Sequence, residues 1–300
     1  MKRYRVYQVD SFTSERFTGN PAGVVSNADG LSEHQMQAIA RELNNSETAF
    51  ILSPSGADHD VRIRFFTPTT EVPICGHATI AAHFVRAIEN DLPTCTVKHL
   101  TGVGILPVDI VKSGSSYEII MTQGKPEISE PLNDEIENDI MNALGLSPLE
   151  RDERCQIKIA STGHSKVMIG IKDKKTLNGL QPNMYQLAKI SERIGSNGYF
   201  VFTVDSDDNG ILTHGRMFAP AIGIPEDPVT GNANGPLGAY LVDQKILASQ
   251  DEAVSFMAKQ GEAMGRPGIV KVSMKVNNGK AYQVQIGGRA VVAFKTELEI

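Results

Sequence analysis

The sequence predicts a duplicated α+β fold: two pseudo-symmetric domains, each with strands wrapped around one central buried helix. Three observations carry this. A series of landmarks in the first half, Thr18-Gly19-Asn20, residues 43–47, Arg64-Phe65-Phe66-Thr67-Pro68 and Cys75-Gly76-His77-Ala78, recurs in order in the second half. The echoes are Thr162-Gly163-His164, residues 194–198, Arg216-Met217-Phe218-Ala219-Pro220 and Thr230-Gly231-Asn232-Ala233. The offset drifts only from 144 residues at Thr18/Thr162 to 155 at Gly76/Gly231, a regularity that chance would not keep and a period far beyond a solenoid unit. In each half, moreover, a glycine turn opens an almost uncharged segment, 78–88 and 232–242, the pattern of a helix buried on every side. Finally, short strand-like runs separated by turn residues surround both segments.

Taken in order, residues 4–12 and 23–26 read as strands joined through the Gly19-Asn20-Pro21 turn. Ser32 is placed to cap a helix through Leu43, because Met36, Ile39, Ala40 and Leu43 form one apolar face. Residues 48–52 and 61–66 are strands, and 78–88 is the first buried helix. The Pro-, Glu- and Asn-containing stretch 124–153 is the expected linker, with one helix at 134–144. The second half repeats the scheme: strand 165–171, helix 184–194, strands 199–204 and 213–218, then the second buried helix. Alternation at Val270, Val272 and Met274, and at Val284 and Ile286, predicts closing strands within 268–300. The domains expected are 1–124, completed by a C-terminal strand at about 289–300, and 125–288.

Composition narrows the function by exclusion. Three hundred residues at 41% hydrophobic suit one large or two ordinary soluble domains, and no apolar run reaches the roughly 20 residues that a membrane helix requires. A net charge of −6 with both signs interspersed argues against a nucleic-acid or anionic-membrane surface. Cys75, Cys95 and Cys155 are odd in number and match no metal or disulfide spacing, which suits a reducing, cytoplasmic setting. No nucleotide-binding glycine motif is present, so neither a cofactor nor a metal is expected.

The chemistry concentrates where the two copies differ. Gly76-His77 and Gly231-Asn232 open helices whose first N–H groups lack intrahelical partners, so the pair is suited to hold a carboxylate or an enolate. Glu47 pairs with Gly198, Cys75 with Thr230 and His77 with Asn232, which leaves the ionisable groups on one side. Glu47, at the start of an otherwise apolar strand, is either a general base with a raised pKa or a carboxylate near the preceding helix end. Asp227 in Pro225-Glu226-Asp227-Pro228 is either turn chemistry or a second acid, and His77 either a helix-start histidine or a donor to an anion. His164 and Lys166 could reach an anion or lie on the surface.

The runs Val9-Asp10-Ser11-Phe12, Gly19-Asn20-Pro21-Ala22, Ser46-Glu47, Arg64-x-Phe66-Thr67-Pro68, Cys75-Gly76-His77-Ala78-Thr79 and Glu226-Asp227-Pro228-x-Thr230-Gly231 together resemble the PhzF, or phenazine biosynthesis-like, isomerase family over the whole chain. The resemblance implies the diaminopimelate epimerase-like fold, two barrel-like halves around central helices, with an active site in the cleft between them. It also implies a base at Glu47 assisted by His77 and Asp227, substrate contacts from Asn20, Ser46, Cys75, Gly76, Thr230, Gly231 and Asn232, and a homodimer. Asn232 stands where the phenazine enzyme has Ser. The two catalytic cysteines of the epimerases would fall at Cys75 and Thr230, so two-thiol racemisation is unavailable. The expected activity is a cofactor-independent proton shift within a small carboxylate-bearing molecule. A Cys75-dependent enzyme and a non-catalytic binding protein are the alternatives.

Overall fold

The computed structural model describes residues 1–247 and 252–300. Two compact units divide the chain, one formed by 1–122 with 287–300, the other by 123–286.

In the first unit, β1 (Arg3–Ser11) pairs antiparallel with β2 (Asn20–Val25), and β2 runs parallel to β3 (Thr48–Leu52) after helix α1 (Glu33–Leu43). Ser32 and Gln35 close a capping box on α1, and Asn44 ends it in the left-handed conformation. Strand β4 (Val61–Phe66) is antiparallel to β3, carries the short β5 (Glu71–Val72) on its end, and pairs parallel with β6 (Cys95–Thr101). Helix α2 (Gly76–Asn90) lies between β5 and β6 in the chain. The antiparallel run β6, β7 (Gly104–Ser113) and β8 (Ser116–Thr122) follows. The last strand of the chain pairs with both β8 and β1, which closes eight strands into a barrel. Helix α2 is packed against β1, β2, β3, β7 and β8. Ile80, Phe84, Val85 and four alanines of α2 are buried, as a helix enclosed by a sheet requires. Each large apolar side chain among them contributes roughly 1.5–3 kcal/mol.

The second unit repeats this order. Strand β9 (Glu127–Pro131) and helix α3 (Asp134–Leu144) precede β10 (Lys158–Ser161), which pairs antiparallel with both β9 and β11 (Lys166–Gly170). After α4 (Lys174–Gly179) and α5 (Met184–Ile194), β12 (Tyr199–Thr203) runs parallel to β11. Strand β13 (Ile211–Ala219) is antiparallel to β12 and carries β14 (Ile224–Asp227). The central helix α6 (Gly231–Asp243) packs on β9, β10, β11 and β16. Strand β15 (Ala253–Gln260) is parallel to β13 and antiparallel to β16 (Gly268–Asn277), and β17 (Lys280–Glu299) completes the chain.

The register reproduces the sequence repeat residue by residue. Gly23 faces Thr48 as Val167 faces Tyr199; Thr48 faces Phe66 as Tyr199 faces Phe218; Phe65 faces Val72 as Met217 faces Asp227. Position 47 is thereby the structural counterpart of 198, and Asp227 that of Val72. Both central helices begin two residues or one residue earlier than expected, at Gly76 and Gly231. The stretch 124–153 is no linker. Its strand β9 is hydrogen-bonded to β10, and Ile136, Ile140, Met141 and Leu144 of α3 belong to the core of the second unit.

Candidate active site

In the first unit the expected residues converge at the start of α2. Cys75 is the N-cap residue, extended at φ −146° and ψ 126°, and its side chain makes no capping bond, so the first-turn N–H groups are not consumed by their own cap. His77, 7% exposed, is gripped on both ring nitrogens. Its Nε2 lies 3.3 Å from Ser46 Oγ and 3.5 Å from the Glu47 carboxylate, and its Nδ1 lies 3.4 Å from Cys75 Sγ. Ser11 donates its hydroxyl to the His77 carbonyl at 2.8 Å, and Asn20, buried, stands opposite Ser11 in the β1–β2 ladder. A carboxylate beside Nε2 favours the tautomer that donates from Nε2, which leaves Nδ1 to accept from the Cys75 thiol. Glu47 keeps 17% of its side chain exposed, enough to meet a ligand. Glu47, Cys75 and His77 also bring a carboxylate, a thiol and an imidazole within 4.8 Å of one another, a donor set that could hold a cation.

Gly76 leaves open space at this helix start: an added Cβ would meet nothing within 4 Å. Open volume beside unclaimed N–H groups is what an anion needs.

The second unit gathers Asp227, Thr230, Gly231 and Asn232 at the start of α6. The Thr230 hydroxyl donates to the Asp227 carboxylate. Behind it, Gln260 ties the loop in place: its Nε2 donates to the Asp227 carbonyl at 2.7 Å and its Oε1 accepts from the Thr230 N–H at 2.9 Å. Asn234 donates to the Thr230 carbonyl and to Gln260 Oε1. Gln123 bonds the Gly231 carbonyl at 3.1 Å. The Asn232 side-chain oxygen, buried, has no partner among the described residues. Like Cys75, Thr230 makes no side-chain capping bond to its helix.

Sequence reasoning missed Gln260 and Asn234, which carry no motif, and the matched ion pairs Arg64–Glu71 and Arg216–Glu226, each with two guanidinium nitrogens on one carboxylate. The offset of 155 that aligns the glycine turns also aligns Glu71 with Glu226, so the second pair was open to discovery. Lys166, left undecided between an anion contact and the surface, is 8% exposed. Burial pushes its ammonium down to about 8, against the opposing pull of the Asp227 carboxylate. His164 is also lowered, by desolvation first and the Lys166 charge second.

The chain is 59% identical over 298 residues to an uncharacterized isomerase of Clostridium acetobutylicum, covering 99% of each chain. It is 48% identical over 296 residues to the uncharacterized isomerase YddE of Escherichia coli, covering 99% of this chain and 98% of the other. The crystal structure of a PhzF-family phenazine biosynthesis protein from Bacillus anthracis superposes with a TM-score of 0.89 at 31% identity, covering all of both chains. Residues 9–296 match the phenazine biosynthesis-like protein family, PhzC-PhzF. The chain belongs to that family and is an enzyme of the isomerase class.

Proposed function

We propose that the enzyme moves a proton within a small carboxylate-bearing metabolite without a cofactor, with Glu47 as the general acid/base. The observation that carries this is the Glu47–His77 contact of 3.5 Å beside the open start of α2. Glu47 takes a proton from an activated carbon, and the electron pair passes into the adjoining unsaturated or carboxylate system. The N–H groups at the start of α2 and His77 stabilise that anion, a contribution of about 10²–10³ in rate for each well-aimed donor. In the second unit, Asp227, held by Thr230 and Gln260, forms a polar cluster at the start of α6. Asn232 supplies an acceptor of its own. Work in the cytoplasm, supported by three free cysteines, and assembly as a homodimer, supported by the family resemblance, belong to the same proposal.

The Cys75–His77 contact of 3.4 Å favours a second reading, in which the thiolate is the reacting group. One experiment separates the two. L-Alanine, L-proline, L-lactate, but-3-enoate and further small amino, hydroxy and unsaturated acids are incubated with the enzyme in deuterated water, and label uptake is followed by NMR. Glu47→Gln is expected to slow uptake at least about 10²-fold, while Cys75→Ser retains most of it. Uptake by Glu47→Gln at the wild-type rate, or its loss in Cys75→Ser alone, rejects Glu47 as the base.

A further inference from the structure

The hairpin that joins β12 to β13 carries a group of side chains that the proton shift at Glu47 does not use. Ser206, half-buried in that loop, has its Oγ 2.9 Å from Nε2 of His214 on β13. His214 is wholly buried, and its Nδ1 lies 2.6 Å from Oε2 of Glu262, just beyond the end of β15. The other oxygen of Glu262 faces the Lys259 ammonium at 3.2 Å, which fixes the plane of the carboxylate. The His214 hydrogen bond is the first cause that holds this carboxyl below its usual range. All four residues belong to the unit formed by 123–286.

A carboxylate on Nδ1 keeps the imidazole proton there, so Nε2 is the basic nitrogen and the Ser206 hydroxyl donates to it. Both contacts fall within the roughly 2.6–3.2 Å that an activated nucleophile and its oriented base require. The chain supplies its own contrast. Ser55, His59 and Asp58 also stand in a row, with Ser55 Oγ 3.2 Å from His59 Nε2 and Asp58 2.6 Å from Nδ1. There, however, Nε2 already accepts the Ser55 backbone N–H at 3.0 Å, so the lone pair a base would use is taken. His214 Nε2 meets no hydrogen-bonding group other than Ser206 among the described residues. The Ser206 backbone N–H has no acceptor among the described residues, which leaves a donor beside Oγ for the oxygen of an attacked carbonyl.

We propose that Ser206, His214 and Glu262 form a second, hydrolytic centre that cleaves small carboxylic esters. Ser206 Oγ bonds to the ester carbonyl carbon as its proton passes to His214 Nε2. The C–O bond to the alcohol then breaks, and the alcohol leaves with that proton. Water attacks the acyl-Ser206 carbonyl, gives one proton through Nε2 back to Ser206 Oγ, and releases the acid. Glu262 stays ionised throughout and holds the imidazolium that forms at each step. Around this centre Asp205, Asp207, Asp208 and Glu262 outnumber Lys174 and Lys259, so an ester without negative charge is the class that fits.

The test treats the full-length protein with diisopropyl fluorophosphate, locates the adduct by peptide mass spectrometry, and follows 4-nitrophenol release from 4-nitrophenyl acetate. Wild type should carry the adduct on Ser206. Ser206→Ala should lose that adduct and about 10²-fold or more in kcat/KM for the ester. Glu262→Gln should lose kcat at nearly unchanged KM, because it keeps the shape of the site and removes the charge that holds the imidazolium. Ser55→Ala should match wild type. Absence of an adduct on Ser206, or a Ser206→Ala protein that hydrolyses the ester as fast as wild type, overturns the proposal. Should Glu262→Gln fail to fold, Ser206→Ala decides alone, since its side chain lies in a loop and makes only the His214 bond. Proton exchange with a carboxylic acid enters neither measurement, so a failure here leaves the Glu47 reading standing, and a failure of that reading leaves this one.

Discussion

At Gly76 the backbone lies outside the left-handed region and an added side-chain carbon would touch nothing, so neither conformation nor packing demands glycine there. What remains is the approach of a ligand to the first-turn N–H groups of α2. Gly76→Ala should accordingly leave the unfolding free energy within about 0.5 kcal/mol of wild type, alanine being the better helix former. It should raise KM for the exchanging acid about tenfold or more. Denaturant melts and steady-state kinetics on one preparation check this, and a large loss of stability would return the glycine to a structural role. The sequence showed the paired glycine turns and the Glu47/Gly198 and His77/Asn232 differences, because those are properties of single aligned positions. It did not show that the void at Gly198 belongs to the Lys166 stem. That depends on where a side chain from the neighbouring strand β11 travels, and no local pattern encodes it.

Among the elements, the two ion pairs that bind β4 to β5 and β13 to β14 are built alike but buried differently. Arg216, 8% exposed along its side chain, meets Glu226 with two nitrogens and also donates to the carbonyls of Leu177 and Leu180, joining α4 to the sheet. Arg64, 16% exposed, meets Glu71 and the exposed Glu33, and its pKa is raised, chiefly by the Glu71 hydrogen bond. Removing Arg216 strands a shielded carboxylate and two carbonyls; removing Arg64 leaves Glu71 in contact with water. Arg216→Met should therefore destabilise by about 3–5 kcal/mol. Arg64→Met should cost about 1 kcal/mol. Urea midpoints of the two variants decide the ranking, and equal losses would show that the α4 bonds contribute nothing. Elements with local signals, such as α1 with its Ser32 cap, followed directly from the sequence. The stretch 124–153 did not, since Pro, Glu and Asn mark turns whether a segment links domains or, as here, returns to pair with β10.

At the scale of the whole molecule, the interior of the first barrel sets a limit on acid stability. His83 on α2 and His99 on β6 are wholly buried, 3.2 Å apart, with the Arg86 guanidinium 3.4 Å from His83. Desolvation first, then neighbouring positive charge, holds both below the ordinary imidazole range, His99 at about 4. The folded state thus binds these protons more weakly than the unfolded chain, so their stabilisation is fully present above about pH 6.5 and is lost as pH falls toward 4. Unfolding free energies at pH 7 and pH 5 should differ by about 1–3 kcal/mol in favour of pH 7. In His83→Leu/His99→Leu, if it folds, that part of the difference should vanish. By itself the sequence determined the duplication, the order and spacing of its landmarks, and the positions at which an acid, a thiol and an imidazole break the repeat. Such features survive in one dimension because periodicity, turn residues and aligned differences are local. Only the tertiary structure decided which of them meet. The Ser46–Glu47–His77–Cys75 contacts, the Gln260–Asn234 brace behind Thr230, the His83–His99 pair and the Lys166 stem over Gly198 each join residues from different elements. Their distances are set by how strands and helices pack, and packing depends on the volume of every neighbour at once.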